Sequence, residues 1–560
     1  MFRLRELHFV TRFWQSRPMI TSLTRRTVLE GGLATLGLLA LPLSARADAP
    51  RFTHGVASGD PKQRHVRLWT RYLPADGGPA RLRVEVARDA GFRRRVASHS
   101  VVAHPANDHC VSTVAKGLSA GEWYFYRFLA PDGSVSPVGR TRTLPAKGEA
   151  PFRIAVLSCA NMEFGYFNAY RHLAQRNDID LVLHLGDYIY EWGAGQHSLA
   201  AQALKDRGTQ PPGETVTLAD YRTRYAWYRA DPDLAELHRA FPMISIVDDH
   251  EITNNAWRDG ASNHDAGEVS YAERKAAAMK AYHEWLPMPA TPYDRYDTGG
   301  LATILRLETR LLARDEPLDL GDALKGSSDP RQAMIAFRDG PLQDPRRTLL
   351  GAAQERWLGD ALASSVSAGQ RWQVLAQQVV MGPLQLPQTA PAWSSATPAS
   401  GSRDATRQRT ALAAAKLGLP LGYDNWGGYP AARARLLGAA QSARANLVVL
   451  SGDSHNAWAF DLAREGTAAG VEFAGHAVSS PGFEARFDAS PSKIAGDLVA
   501  ANPALKWCET SRRGYLTVSL SRDAARSDWV FMDTVRRRSV QLAGTATASV
   551  AYGARTLQLG

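Results

Sequence analysis

Four apolar runs in this chain each stop at a cluster of polar side chains. RIAVLS leads to Cys159, DLVLHL to Gly186-Asp187-Tyr188-Ile189-Tyr190-Glu191, PMISIV to Asp248-Asp249-His250-Glu251, and LVVLS to Gly452-Asp453-Ser454-His455. A short apolar run bounded by turn signals reads as a strand buried on both faces. One such ending means little. Four of them bring carboxylates, a phenol, a thiol and imidazoles to the carboxyl ends of strands, where α/β folds build their sites. Stretches of helical period such as YAERKAAAMKAYHEWL and QERWLGDALASSV lie between the runs. The pattern predicts an α/β (α+β) core of packed β-sheets flanked by helices, over residues 148–560.

At about 100–200 residues per domain, 560 residues leave room for one large unit of this kind and an accessory module. From Phe52 to about Pro145 the runs HVRLWTRYL, ARLRVEVARD and EWYFYRFLAPDG alternate apolar with polar and are separated by Pro and Gly. They predict an all-β, immunoglobulin- or fibronectin-like sandwich over residues 48–147, with Trp69, Trp123 and Tyr124 in its core. TLPAKGEAP at 143–151 reads as the linker. Loops at 193–217 and 386–410, rich in Gly, Pro, Ser and Thr, read as surface excursions at the mouth of a site.

The first 47 residues carry an export pattern. TRRTVLE at 24–30 precedes the apolar run GGLATLGLLALPL and the small-x-small triplet Ala45-Arg46-Ala47. This predicts a twin-arginine signal peptide cleaved after Ala47, the twin-arginine machinery as partner of the precursor, and a periplasmic or secreted product. Initiation at Met19, six residues before Arg25, would leave that signal intact. The apolar run, roughly 13 residues, is shorter than the ~20 needed to cross a bilayer, so the mature form is expected not to span a membrane. Seven Arg and two acids in this segment account for +5 of the formal charge of +11. The remaining cations are interspersed, which argues against specific nucleic-acid binding. Three cysteines, Cys110, Cys159 and Cys508, allow at most one bridge.

The chemistry of the four endings is that of a cation site, because so many carboxylates in one place repel one another unless positive charge joins them. Thiolate and phenolate suit a ferric ion, a carboxylate and water shell suits calcium, and zinc would recruit more His and Cys. Ser454-His455 does not read as a serine nucleophile with its base, since no G-x-S-x-G elbow accompanies it.

Taken together, GDYIYE, DDHE, SGDSH, FTHGVASGDP, VRLWTR, SPVGRTRTLP and DNWGGYPAARARLL resemble the secreted PhoD-type alkaline phosphatase and phosphodiesterase family over essentially the whole mature chain. The resemblance implies a calcineurin-like metallophosphoesterase core behind a β-sandwich, holding one Fe3+ and one or two Ca2+. It further implies phosphate mono- and diester substrates hydrolysed by a metal-activated hydroxide attacking phosphorus. By position, Cys159, Asp187 and Tyr190 would bind iron, with Asp187 bridging to calcium, and Asp249 and Asp453 would complete the metal ligands. His250 would stabilise the transition state or protonate the leaving group, and Asn161 and His455 would contact phosphate or support the ligands. LETR carries Glu308 where the family has Asp. Two alternatives stay open at this level: a phospholipase D-like or nucleotide-directed diesterase of the same family, and a non-catalytic, calcium-binding exported module.

Overall fold

The computed structural model describes residues 51–147, 151–265, 267–395, 398 and 402–560. The expected signal peptide and residues 148–150 of the linker lie outside them.

Two mixed sheets pack face to face. In the first, of ten strands, Phe152–Leu157, Leu181–His184, Pro242–Ser245 and Phe52–Gly59 run parallel at the centre. Leu157, His184 and Ser245 are in register, so the chain leaves all three strands at one level. The second sheet has seven strands, with Ala302–Arg306, Trp372–Ala376, Leu447–Ser451 and Thr467–Ala474 parallel. Its strands also finish together, Ser451 beside Ala474. The two finishing edges meet: a Cβ on Gly452 would lie 2.6 Å from Ser158 Oγ.

Strand alternation explains why those apolar runs are continuous. Ile304, Val374, Val448, Leu450, Val471 and Phe473 face the first sheet, in one core with Ile154, Val156 and Leu183. Their neighbours Leu305, Leu375, Leu447 and Val449 face the other way. There they meet Leu358 and Leu362 of the helix Gly351–Ser367 and Leu436 of the helix Pro430–Ser442. Both faces are buried, so both are largely apolar, and polar exceptions such as Thr303, Gln373 and Glu472 are hydrogen-bonded.

The sandwich forms, but one of its sheets is the edge of the large one. Phe52–Gly59 pairs in parallel with Pro242–Ser245 and carries His65–Tyr72 and Cys110–Lys116 with it. The opposing sheet is Arg95–Ala103, Ala80–Ala87, Trp123–Leu129 and Gly139–Arg142. Val66, Leu68, Leu82, Val84, Tyr124 and Phe128 fill the space between. Of the three aromatics expected there, only Tyr124 is part of that core. Trp69 turns into the main core, its ring 5.9 Å from that of Trp285 and its Nε1 donating to the Glu284 carbonyl at 2.7 Å. Trp123 packs on Phe241. Adjacent residues of a strand point to opposite faces, so Leu68 and Trp69, like Trp123 and Tyr124, cannot share a core.

Two further expectations change. Much of 386–410 is not loop, since a helix Arg403–Lys416 starts there, capped by Ser402 accepting from the Ala405 N–H. The sequence KWCETSRRG reads as a polar connection, but Cys508 lies in the edge strand Leu505–Glu509, and all three cysteines are buried and free. No helix among the described residues is long and apolar enough to cross a membrane.

The shared sheet makes sandwich and core one cooperative unit. Trp69→Ala should destabilise the protein by about 3–5 kcal/mol with one urea transition seen alike by fluorescence and far-UV circular dichroism. Two separated transitions would contradict the shared-sheet account.

Candidate active site

The four polar clusters turn sharply as they leave the strands. Cys159, Asp187, Asp453 and His455 all adopt left-handed backbone, with φ of 59°, 54°, 60° and 61°. Such conformations cost about 1–3 kcal/mol each and persist only where the surroundings enforce them. At Gly186, φ +110°, a Cβ would fall 2.3 Å from the Asp248 Cβ, so only glycine fits between the two loops. Glu251 ties those loops, its carboxylate accepting from the N–H groups of Asp187 at 3.1 Å, Tyr188 at 2.5 Å and Asp248 at 2.8 Å.

Three overlapping sets of donor atoms result, each set lying within 4.8 Å of itself: Cys159, Asp187 and His455; Asp187, Asp249 and His250; Asp248, Asp249 and Asp453. Asp187 joins the first two sets and Asp249 the last two. Asp187 Oδ1, Asp248 Oδ2 and Asp249 Oδ1 are buried without a hydrogen-bond partner. Orphaned carboxylate oxygens are costly in a protein interior, and cations satisfy them. The residues present therefore fit a metal centre.

Tyr190 donates its hydroxyl to Asp187 Oδ2 at 2.8 Å, lies 3.3 Å from His455 Nε2, and accepts from Ser480 Oγ at 2.7 Å. His455 Nδ1 bonds the Pro481 carbonyl at 2.8 Å, which fixes the proton on Nδ1 and leaves the Nε2 lone pair for the Cys159–Asp187 set. Burial keeps this imidazole neutral, down at about 3. His455 thus stands among the possible ligand donors. Asn161 is not in the cleft. Its Oδ1 accepts from the Glu163 N–H and caps the short turn Met162–Phe164.

Electrostatics bear the same stamp. Burial, reinforced by Asp249, Asp248 and Glu251, pushes Asp187 well above the usual carboxylate range against the pull of His250. Burial lifts Asp248 to about 6 and Glu251 to about 8, and raises Asp453 and the Cys159 thiol too. Asp249 goes the other way: burial opposes its ionisation, but Arg310 and His250 hold it below the normal range. Burial likewise opposes charge on His250, yet Glu191, Asp249 and Asp187 raise it well above an ordinary imidazole. Glu191 accepts from His250 Nδ1 at 2.6 Å and from the Asn254 N–H at 2.7 Å, and the His250 ring stacks on Tyr190 at 4.2 Å.

A buried guanidinium of the chain itself answers several of these acids. The guanidinium of Arg310 is fully buried and bonds Asp248 Oδ1 at 2.5 Å, Asp424 Oδ2 at 2.6 Å and Asp453 Oδ1 at 2.8 Å, with Asp249 Oδ1 at 3.6 Å. Glu308 aims it by accepting from the N–H groups of Arg310, Leu311 and Leu312 at 2.9, 2.7 and 2.7 Å. Arg310 and Asp424 were not singled out from sequence, although each lies in a motif that was, and Glu191, Glu251 and Glu308 were named there without these roles.

The cleft encloses about 220 Å³. It is lined by Asp187, Tyr190, Asp249, His250, Asp453 and His455, together with Trp192, His197, Ser198, Phe483 and Arg486. Cys159 is fully buried and does not line it.

The family model for PhoD-like phosphatase matches residues 154–529, and that for the PhoD-like phosphatase N-terminal domain matches residues 38–145. Alkaline phosphatase D of Bacillus subtilis (strain 168) is 33% identical, covering 95% of this chain and 87% of that protein. A solved structure of PhoD superposes with a TM-score of 0.73 at 31% identity, covering 91% of this chain and 92% of that one. A purple acid phosphatase from yellow lupin seeds gives a TM-score of 0.48 at 12% identity, over 88% of this chain and 73% of that one.

Removing the buried countercharge should be severe. Arg310→Met is expected to lower stability by about 3–5 kcal/mol, the usual range for stripping one partner from a buried ion pair. Added calcium should restore part of the loss in thermal unfolding. A melting temperature unchanged from the parent would contradict the assigned role of Arg310.

Proposed function

Since the chain belongs to the PhoD-like phosphatase family, and is thereby a hydrolase of phosphate esters, we propose that it is an exported phosphomonoesterase and phosphodiesterase working with one ferric ion and one or two calcium ions. The observation that carries this reading is the chain of three donor sets linked through Asp187 and Asp249, each with a buried oxygen that lacks a hydrogen-bond partner. Cys159, Asp187, Tyr190 and His455 would hold the ferric ion, since thiolate, phenolate and imidazole suit it. Asp187, Asp249 and Asp453, with Asp248 beside them, offer the oxygen donors that suit calcium. When bound, the cations would supply positive charge for phosphoryl oxygens and acidify water.

The chain's own groups divide the remaining work. His250, kept protonated by Glu191 and the neighbouring acids, is placed in the cleft wall to donate a proton to the departing alcohol oxygen. Glu191 and the Tyr190 ring hold the imidazole in one orientation. Arg310 keeps Asp249 ionised from behind without entering the cleft. Proposed export rests on the twin-arginine sequence at 24–30 and the Ala45-Arg46-Ala47 triplet. N-terminal sequencing of the exported product should read from Asp48.

Elemental analysis of the purified holoenzyme should give iron and calcium, and stoichiometric zinc without iron would overturn the assignment. Asp187→Ala should lose both cations together with turnover. His250→Ala should retain them while kcat falls by roughly 10²–10⁴, and loss of metal in that variant would make His250 a ligand instead.

Among the cysteines, Cys159→Ser should lose iron and phosphate release, because a serine hydroxyl keeps its proton at neutral pH and binds ferric ion weakly. Cys110→Ser and Cys508→Ser should keep both. Full iron and activity in Cys159→Ser would sink the ligand set.

A further inference from the structure

Arginines that are scattered in the sequence gather on one face of the sandwich. In the sheet of Arg95–Ala103, Ala80–Ala87, Trp123–Leu129 and Gly139–Arg142, the side chains of Leu82, Val84, Tyr124 and Phe128 fill the sandwich core, so their alternate neighbours point outward. Pairing sets Arg83 opposite Leu129, Glu85 opposite Arg127, Ala87 opposite Arg95 and Phe125, and Phe125 opposite Arg140. The outer face thereby carries Arg81, Arg83, Arg95, Arg127 and Arg140, and Glu85 is the one acid at its strand positions. Glu85 is 1% exposed and already shared by Arg127 at 2.8 Å, Arg95 at 3.0 Å and Arg83 at 3.4 Å. Arg81 and Arg140 have no acidic partner among the described residues. Arg140 instead lies over the Trp123 ring at 3.5 Å, as Arg127 lies over Phe92 at 4.1 Å. Arg142, at the end of its strand, is paired with Asp180.

Like charges side by side on a sheet cost stability, and mixed signs would serve solubility as well. No lysine stands among these five cations. A guanidinium, unlike an ammonium, offers a planar fork that grips phosphate by two hydrogen bonds, and a ring beneath it holds the fork in place. We propose that this face docks a linear phosphodiester polymer by its phosphates, without reading its other groups. Charge complementarity selects an anion, and the choice of a phosphodiester among anions rests on the phosphoesterase reading. The centre of the face is an ion cluster, whereas a docked globular partner buries an apolar centre. A chain laid across the strands, which stand about 4.8 Å apart, meets arginines from all four in turn. None of the five lines the cleft, so the face holds a polymeric ester on the enzyme and takes no part in cleaving it.

Fluorescence anisotropy of a labelled phosphorothioate oligothymidylate, a phosphodiester chain that resists hydrolysis, tests this on the metal-replete enzyme. Between about 50 and 200 mM salt, four or five phosphate contacts should give log Kd a slope of about 3 against log salt, at roughly 0.7 per contact. The double variant Arg81→Gln/Arg140→Gln removes the two cations without an acidic partner and leaves the Glu85 cluster intact. Its slope should fall by about 1.4, and its Kd at ~0.1 M salt should rise about 10- to 30-fold. Its hydrolysis of phenyl phosphate should match that of the parent, and a parent unable to hydrolyse phenyl phosphate would overturn the phosphoesterase reading while the anisotropy still reports on the face. A Kd unchanged in the double variant, or equal affinity of the parent for poly-L-glutamate, would overturn the docking face. So would attachment to phosphatidylglycerol vesicles without binding of the oligomer.

Discussion

The structure turns on the crowding of buried acids where two sheets end together. Asp187, Asp248, Asp249, Asp424, Glu191 and Glu251 are all buried within a few loops of one another. A carboxylate in that setting protonates unless positive charge or N–H donors stand against it. Each acid finds a different answer. Glu251 takes backbone N–H groups, Glu191 takes His250, Asp453 takes Arg310, and Asp424 takes both Arg310 and Arg314. What is left over, one oxygen without a hydrogen-bond partner each on Asp187, Asp248 and Asp249, is the valence that cations would fill.

The scaffold earns this crowding by rigidity. Parallel strands in register deliver the four clusters to one level, and left-handed residues at Cys159, Asp187, Asp453 and His455 bend the chain over the edge at once. Strained backbone of this kind relaxes unless its neighbours are fixed. The sandwich contributes here as well, since its Phe52–Gly59 strand continues the sheet beyond Pro242–Ser245, the strand that leads to Asp248 and Asp249. The accessory module is therefore part of what holds the site.

Much of this was legible in the sequence because strand endings are local. The residues Cys159, Asp187, Tyr190, Asp249, His250, Asp453 and His455 all follow apolar runs within a few positions, and the fold brings them together. What stayed hidden needed tertiary contacts. Arg310 sits in the segment after Ala302–Arg306 of the second sheet, and only the meeting of sheet edges reveals that its guanidinium fills the acidic cluster. Glu191 and Glu251 adjoin the candidate ligands, and sequence gives no sign that they orient rather than bind. Asn161 directly follows the Cys159 turn, and its Oδ1 caps the short turn Met162–Phe164, a local role that residue type alone does not show. Trp69 misled for a related reason: where both faces of a strand are buried, alternation cannot tell which core a tryptophan enters.

The central claim is that the donor sets joined through Asp187 and Asp249 are a metal centre. Anomalous X-ray diffraction from crystals of the metal-replete enzyme tests it most directly. The account requires a peak at the iron edge within bonding distance of Cys159 Sγ and Asp187, and calcium anomalous density among Asp187, Asp249 and Asp453. Fully loaded crystals with no anomalous peak at either place, or with peaks only at surface carboxylates, would contradict it.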